Sequence, residues 1–389
     1  MSINDGIIWV MVIIMIIGAF DKIIGNKLQL GKQFEEGLMA MGSLALSMAG
    51  IIVLAPKLSD WLSPVVVPLF EIVGADPAMF GGTLLANDMG GFFLAQQMTS
   101  DSEIVLFSGG ILGAMMGATI VFSIPVGLGL IEVKDRPFLA QGILCGIITV
   151  PIGAMVGGLL MGMDFGKVVI NLIPIIIVAL FIAIGLWRFP AKMISGFIIF
   201  GRVIVGIATI GLAIGGLEWL VGVQLFANQE SLAVAFEIVG SIAITLAGAY
   251  GLVLIITKLF KKPLLSFGKL LGINEISAAG LIASLANNIA MFQTVKNMDD
   301  KGKVINIAFA VSASFVIGDH LGFTAGVAPE IIMPMIVGKV VGGLSAIAVA
   351  IYVTKNVSET SKLREEILIE DMPQPEVPQP DVPESKETL

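Results

Sequence analysis

The chain contains apolar runs that approach or reach the length needed to cross a lipid bilayer. IIWVMVIIMIIGAF covers residues 7–20, and VVINLIPIIIVALFIAIGLW covers residues 168–187. A transmembrane helix needs about 20 mainly apolar residues to cross the hydrocarbon core. Charged residues make up 13% of the chain and its mean hydropathy is +0.98, whereas a soluble domain carries about 25% charged residues. The sequence therefore predicts an all-α polytopic membrane protein in a lipid bilayer.

Nine runs of this kind are predicted to span the membrane, near residues 5–21, 37–55, 104–130, 138–163, 168–187, 193–221, 231–256, 304–326 and 330–353. The N-terminal run has no basic flank and no cleavage site, so we interpret it as the first span and not as a signal peptide. Residues 356–389 are Pro-rich and acidic, which predicts a disordered cytoplasmic tail. This tail carries most of the formal charge of −8, so the charge does not indicate nucleic acid as a partner.

Two regions between the predicted spans, residues 57–98 and 258–296, share one plan. Each begins with a short amphipathic piece and continues into a segment with polar groups at its centre. The sequence before each region also recurs, since GSLALSMAGI at 42–51 resembles GSIAITLAGA at 240–249. Within the regions, the Leu-Ala-Asn triplet that ends at Asn87 recurs at Asn287. Because these blocks occur in the same order, we favour an internal repeat over chance similarity between helices rich in Ala, Gly and Leu.

The predicted organisation has two transmembrane repeats, a helix that links them and the cytoplasmic tail. About ten residues of helix rise about 15 Å, which is half of the hydrocarbon thickness. Each polar segment is therefore predicted to be re-entrant, entering and leaving the membrane on one face. The predicted ranges are residues 1-163 for the first repeat with a re-entrant segment near 77-98, 164-192 for the linking helix, 193-355 for the second repeat with a re-entrant segment near 276-296, and 356-389 for the tail.

The distribution of Lys and Arg favours this arrangement, because cytoplasmic loops are enriched in both residues. Of the 22 Lys and Arg residues, Arg202 and Lys339 lie within spans, which leaves 20. With re-entrant segments these 20 divide 18 to 2, and only Lys57 and Lys167 lie outside. If both segments crossed fully, the division would be 11 to 9. The sequence thus predicts two inverted-topology repeats, with the N-terminus outside and the C-terminus in the cytoplasm.

The re-entrant model places Asn87 and Asp88 near the membrane midplane, where Asn287 and Asn288 arrive from the opposite face. Non-helical backbone is tolerated at that depth only where protein or water covers it. Inverted repeats whose broken helices meet at the midplane are typical of transporters. We therefore interpret the two tips as parts of a solute pathway. The alternative is that these side chains only bond neighbouring helices.

Three further ionisable residues lie deep in predicted spans, where such groups are functional candidates by default. Asp319 and His320 lie in the span at 304–326, and Lys339 lies at a similar depth in the next span. A structural pair between Asp319 and Lys339 would explain both residues. His320 could relay protons, because its side chain titrates near physiological pH, or it could simply pack against helix backbone.

A buried carboxylate surrounded by amides suits a small cation that also donates hydrogen bonds. Aromatic rings add cation–π faces, and Phe80 and Phe93 are further candidates for this role. The predicted substrate-binding residues are Asp88, Asn87, Asn287, Asn288, Phe292 and Phe92. The chain has a single His and a single Cys, which excludes a metal centre built from several His or Cys ligands. No catalytic motif is present, so we expect neither an enzyme nor a cofactor.

Several long motifs resemble the ethanolamine permease family, the membrane protein of bacterial ethanolamine-utilisation systems. They include QFEEGLMAMGSLALSMAG, GADPAMFGGTLLANDMGGFFLA, LANNIAMF and GKVINIAFAVSASFVIGDHLGF. The resemblance covers roughly residues 3–353 and omits the Pro-rich tail. It implies uptake of ethanolamine across the bacterial cytoplasmic membrane, and this solute is mostly a cation at neutral pH, like the head of a lysine side chain.

Three alternatives to ethanolamine uptake stay open. An ion-coupled symporter of another small polar or cationic solute needs a second site, which Asp319 and His320 could supply. A channel-like facilitator needs no second site. A membrane scaffold would recruit metabolic enzymes through the tail, and Asp88 would then be dispensable. A homo-oligomer and a cytoplasmic partner for the tail are also open.

Overall fold

The computed structural model describes residues 2–354, without the side chains of residues 194, 261 and 264. Every regular element in this range is a helix, so the prediction of an all-α polytopic membrane protein is confirmed. Within residues 2–354, eight helical stretches are long and apolar enough to cross a membrane. They are α1 Ile3–Ile23, α2 Leu30–Glu71, α3 Ser102–Leu130, α4 Val133–Leu160, α5 Phe165–Arg188, α6 Pro190–Val221, α7 Leu232–Leu271 and α8 Pro329–Thr354. The predicted tail lies outside the described residues.

One predicted span is not a continuous helix. The run at 304–326 forms two helices, Asp300–Ala313 and Asp319–Val327, which we call the broken helix. At the break, Phe315 has a left-handed φ of 62°. The backbone N–H groups of Phe315 and Ile317 donate to the carbonyls of Ser284 and Leu285, at 3.0 and 3.1 Å. These bonds to a distant segment replace the missing helical bonds, which satisfies the backbone of the break.

The amphipathic pieces that precede the polar segments also differ from the prediction, because they are not separate elements. They continue the preceding spans, so α2 has 42 residues and α7 has 40. Residues 45–49 of α2 are wound as a π-helix, and so is much of α3, at residues 106–117 and 119–123. α3 is almost wholly buried, whereas α1 and α6 expose most of their apolar side chains. This arrangement makes α3 the centre of the bundle and leaves α1 and α6 facing lipid.

The two polar segments each form a pair of short helices with a break between them. The first helix pair consists of Met79–Leu84 and Gly91–Met98, and the second helix pair consists of Glu275–Ala286 and Asn288–Thr294. Within each pair the two helices pack against one another. In each pair, a hydrogen bond joins the segment before the first helix to the segment after the second helix. Thr99 donates to Asp76 at 2.9 Å in the first pair, and the Asn274 backbone N–H donates to Asp299 at 2.8 Å in the second. Re-entry into the membrane and the inverted repeat stay predictions.

Candidate functional site

A cavity of about 350 Å³ lies between the breaks of the two helix pairs and the break of the broken helix. Its walls come from six parts of the chain: α2, the first helix pair, α3, α7, the second helix pair and the broken helix. The lining residues are Ala40, Ser43, Leu44, Ser47, Ala86, Asp88, Met89, Ala118, Phe122, Leu246, Tyr250, Asn287, Ile289, Phe315, Asp319 and His320. The structure therefore brings together four of the predicted site residues, namely Asp88, Asn287, Asp319 and His320.

The break of the first helix pair directs Asp88 into the cavity. The backbone turns at Gly90, whose φ of 91° is a conformation that side-chain-bearing residues rarely adopt. The Gly91 N–H then donates to the Ala86 carbonyl at 2.9 Å, which closes the turn. A side chain on Gly117 of α3 would collide with the backbone at Leu85. Glycine at these positions thus lets the turn form against the central helix, and this leaves the Asp88 side chain 16% exposed.

The two amides of the second helix pair have different roles at its break. Asn287 is extended, and its side-chain oxygen accepts from the Ile289 N–H at 2.8 Å, so it caps the helix that follows. Asn288 is fully buried, and its Nδ2 donates to the Ser123 hydroxyl of α3 at 2.7 Å. Asn287 lines the cavity, whereas Asn288 fastens the break to the centre of the bundle.

The break of the broken helix supplies the next two polar groups and an aromatic wall. Asp319 and His320 begin the helix Asp319–Val327, so both project from the break towards the cavity. The Phe315 ring packs against the His320 ring at 5.1 Å and against the Phe122 ring at 5.6 Å. A bulky residue held at positive φ stores strain of the kind that often occurs at functional sites.

The ionisable side chains in and beside the cavity fall into two groups. In the first, the Tyr250 hydroxyl donates to Asp319 Oδ1 at 2.6 Å. In the second, His320 Nε2 lies 3.9 Å from Asp88 Oδ1, and His320 Nδ1 lies 2.9 Å from Lys339 Nζ. Lys339 is fully buried, and its Nζ also donates to the Ala114 carbonyl.

The structural pair between Asp319 and Lys339, which the sequence left open, is therefore not formed. Lys339 contacts His320, while Asp319 is bonded to Tyr250. Successive residues on a helix point about 100° apart, so these neighbours reach different partners although both line the cavity. Asp319 turns towards α7, and His320 turns towards Lys339 on α8 and Asp88 of the first helix pair.

Besides Asn288, three of the predicted substrate-binding residues do not line the cavity. Phe92 is 6% exposed and packs edge-to-face against Phe93 and Phe323, with ring centroids 5.6 and 5.9 Å apart. Phe292 is buried beside a smaller depression that Lys296 also lines. Asn87 is fully buried, and within residues 2–354 neither of its side-chain polar atoms has a hydrogen-bond partner. In the structure, these residues lie behind or away from the cavity walls.

Three aromatic residues that were not predicted from the sequence line the cavity, namely Tyr250, Phe122 and Phe315. A phenol in the middle of an apolar span was a usable signal for Tyr250, because a buried hydroxyl needs a partner. No comparable signal marked the two phenylalanines. Among the described residues, no three His, Cys, Asp or Glu side chains are grouped so that they could hold a metal ion.

The chain is similar to known proteins over nearly its whole length. The family model described as "Ethanolamine utilisation protein, EutH" matches residues 3–353. A relative from Listeria monocytogenes, named "Probable ethanolamine permease EutH", is 57% identical over 371 residues, which cover 95% of this chain and 100% of the relative. A relative of the same name from Salmonella typhimurium is 48% identical, and the match covers 90% of this chain and 95% of the relative. Another from Escherichia coli is 47% identical, and the match covers 93% of this chain and 98% of the relative. No solved structure matches the chain.

Proposed function

The chain belongs to the EutH family of ethanolamine utilisation proteins, and from this membership we propose that it carries ethanolamine across the bacterial cytoplasmic membrane. The solute binds as the ethanolammonium cation in the cavity between the two helix pairs. One observation carries the proposal most directly: the carboxylates of Asp88 and Asp319, from distant parts of the chain, line the same cavity.

The formal charges around the cavity favour a single positive charge on the ligand. With ionised carboxylates, a neutral imidazole and a protonated amine, Asp88 and Asp319 contribute −2 and Lys339 contributes +1. The two carboxylates thus outnumber the single buried amine, which favours a cation at the cavity wall. An ethanolammonium ion supplies that positive charge, whereas a neutral or anionic solute does not.

The hydrogen-bonding groups favour the same solute. His320 Nε2 and Asp88 Oδ1 are 3.9 Å apart, which is too far for a hydrogen bond, so Asp88 retains free acceptor capacity on its cavity side. An ammonium group has only donors, and a hydroxyl group both donates and accepts. In the proposed pose, the ammonium donates to Asp88 and the solute hydroxyl contacts Asn287 or the serines of α2. The rings of Phe122 and Phe315 then cover the solute carbons.

We further propose that transport is inward, with the N-terminus outside. The charge division of 18 to 2 supports this orientation. Two contacts fit the way in which the re-entrant model groups the loops on two sides of the bundle. The side chain of Asn4 donates to the Glu330 carbonyl at 2.6 Å, on the side predicted to be outside. On the side predicted to be cytoplasmic, Lys258 donates to the Gln29 side chain at 2.9 Å.

The test of the function is uptake of labelled ethanolamine into liposomes that contain the purified protein. Competitors that lack one group identify what the site recognises. Ethylamine lacks the hydroxyl and should compete weakly, whereas ethylene glycol lacks the ammonium and should not compete. Uptake no faster than in protein-free liposomes would contradict the proposal. Full competition by ethylene glycol would contradict the cationic site and would favour a carrier of another small polar solute.

A further inference from the structure

Lys339 has an unusual environment that the binding of ethanolammonium does not by itself explain. Its side chain is completely buried, yet within residues 2–354 no carboxylate lies within ion-pair distance of it. Among the described residues, its Nζ forms hydrogen bonds with the Ala114 carbonyl and with His320 Nδ1. A buried charge without a direct counter-charge is expensive, so a structural role alone does not account for this lysine.

The contacts of Lys339 determine where the proton on His320 lies. A lysine ammonium can only donate hydrogen bonds, so His320 Nδ1 accepts and the ring proton is on Nε2. Nε2 faces Asp88, which lines the cavity, across 3.9 Å. A continuous path for one proton therefore leads from the buried amine, through the imidazole, to the cavity.

We propose that binding of an ammonium cation at Asp88 expels one proton from the His320–Lys339 pair, so that substrate and proton occupy this site alternately. The inference rests on the proposed function and deepens it. Before binding, the Lys339 ammonium is the positive charge that balances Asp88 through His320. An incoming ethanolammonium takes over that role at shorter range, and the two cations then repel each other in a poorly solvated interior. Loss of one proton from the pair relieves the repulsion, and the carrier becomes a cation–proton exchanger.

The proton transfer balances without any further reactant than water and buffer base. An Nζ–H bond of Lys339 breaks as an Nδ1–H bond of His320 forms. The Nε2–H bond breaks at the same time, and its proton passes to cavity water and then to buffer. Lys339 is left as a neutral amine that accepts a hydrogen bond from the new Nδ1–H group. The reverse transfer reloads the pair once the substrate has left.

Other ionisable groups on the surrounding elements contact other partners or lie away from the His320–Lys339 pair. From α7, Tyr250 is bonded to Asp319, and this contact does not include Lys339. In the helix Asp300–Ala313, which packs against α8, Lys303 pairs with Asp135 and Asp300 at 2.9 and 3.1 Å. On α4, Cys145 packs in an apolar cluster that includes Ala346 of α8. Asp88 and Asp319 both line the cavity, and Asp88 is the carboxylate that faces His320 Nε2.

The experiment measures the protons released when ethanolamine hydrochloride binds to the purified full-length protein. Calorimetry near pH 7, in buffers of different ionisation enthalpy, gives the number of protons released per bound ligand. The wild type should release up to one proton, and its affinity should rise by up to tenfold per pH unit. Lys339→Arg keeps the positive charge but cannot lose its proton, so release should disappear and binding should weaken. Lys339→Met should also release none, whereas the matched variant Lys27→Met, at an exposed position, should behave like the wild type.

The possible results separate this inference from the function on which it rests. Binding without proton release in the wild type would overturn the exchange mechanism and leave ethanolamine transport standing. Release that persists in both Lys339 variants would show that Lys339 is not the source of the proton and would also overturn it. Absence of any ethanolamine binding would overturn the function and the inference together. If Lys339→Met does not fold, Lys339→Arg and the wild-type pH series still decide the question.

Discussion

The phenol of Tyr250 donates a hydrogen bond of 2.6 Å to the carboxylate of Asp319. This contact joins α7 to the start of the second half of the broken helix, 69 residues further along the chain. It holds a carboxylate at the cavity wall without neutralising it. The cavity is therefore built from groups that keep its acidic side chains in place while leaving their charge available to a cation.

The first prediction concerns this bond. Tyr250→Phe removes one hydroxyl and leaves the Asp319 carboxylate without its donor, so the empty protein should lose about 1.5–3 kcal/mol of stability. Thermal unfolding in detergent measures the loss. The chain has two tyrosines, and the other, Tyr352, is 78% exposed, so Tyr352→Phe is the matched control. Equal unfolding temperatures for the two variants would show that the bond is not formed.

The second prediction concerns the turn at Gly90. Gly90→Ala would force a side chain into a left-handed backbone, which costs about 1–2 kcal/mol, and would press it against the Ile51 side chain. The turn should shift and carry Asp88 with it, so ethanolamine affinity should fall. Gly162→Ala is the matched control, because Gly162 has nearly the same φ, 92°, with no atom within 4 Å of the added carbon. Normal affinity in Gly90→Ala would contradict the assigned role of this turn.

The third prediction concerns the contact between Asn288 and Ser123. Because Asn288 fastens the second helix pair and does not line the cavity, Asn288→Ala should reduce stability by about 0.5–1.5 kcal/mol and change affinity little. Ser123→Ala should have a similar effect, and the double variant should cost less than the sum of both. Additive effects would mean that the two side chains do not interact. A selective loss of affinity would instead return Asn288 to the substrate-binding residues.

The fourth prediction concerns topology. Ser100 and Asn297 are exposed residues that follow the first and the second helix pair. In a Cys145→Ala background, a membrane-impermeant maleimide should label Ser100→Cys from outside the cell. It should label Asn297→Cys only after the membrane is permeabilised. If both positions are labelled from one face, the proposed inverted arrangement is wrong.

Polar residues in apolar surroundings predicted much of the site. The Asn87–Asp88 and Asn287–Asn288 pairs marked both helix breaks, because such groups are costly in hydrocarbon and need internal partners. The break near Phe315 was not predicted, because it depends on backbone bonds to Ser284 and Leu285, which are distant in sequence. An apolar run alone does not distinguish a continuous helix from one whose bonds are completed elsewhere.

The sequence did not indicate which side chains of the site contact one another. Lys339 and Asp319 lie at similar depths, but the rotation between neighbouring residues on a helix directs His320, not Asp319, towards Lys339. Phe92 was selected because its ring could offer a cation–π face, yet this ring turns into the core. Tyr250 reaches the cavity from α7, and only the packing of that helix shows which of its faces meets the site.

Ethanolamine affinity in the Asp88→Asn variant tests the central claim most directly. The substitution keeps the size and the hydrogen-bonding capacity of the side chain but removes its charge. Loss of a charge-assisted contact costs about 1.5–3 kcal/mol, which at 1.4 kcal/mol per decade is roughly a tenfold to hundredfold weaker Kd. Asp60→Asn, at an exposed position on α2, removes the same charge away from the cavity and should bind normally. If folded Asp88→Asn binds ethanolamine as tightly as Asp60→Asn does, the cavity between the helix pairs is not the cation site.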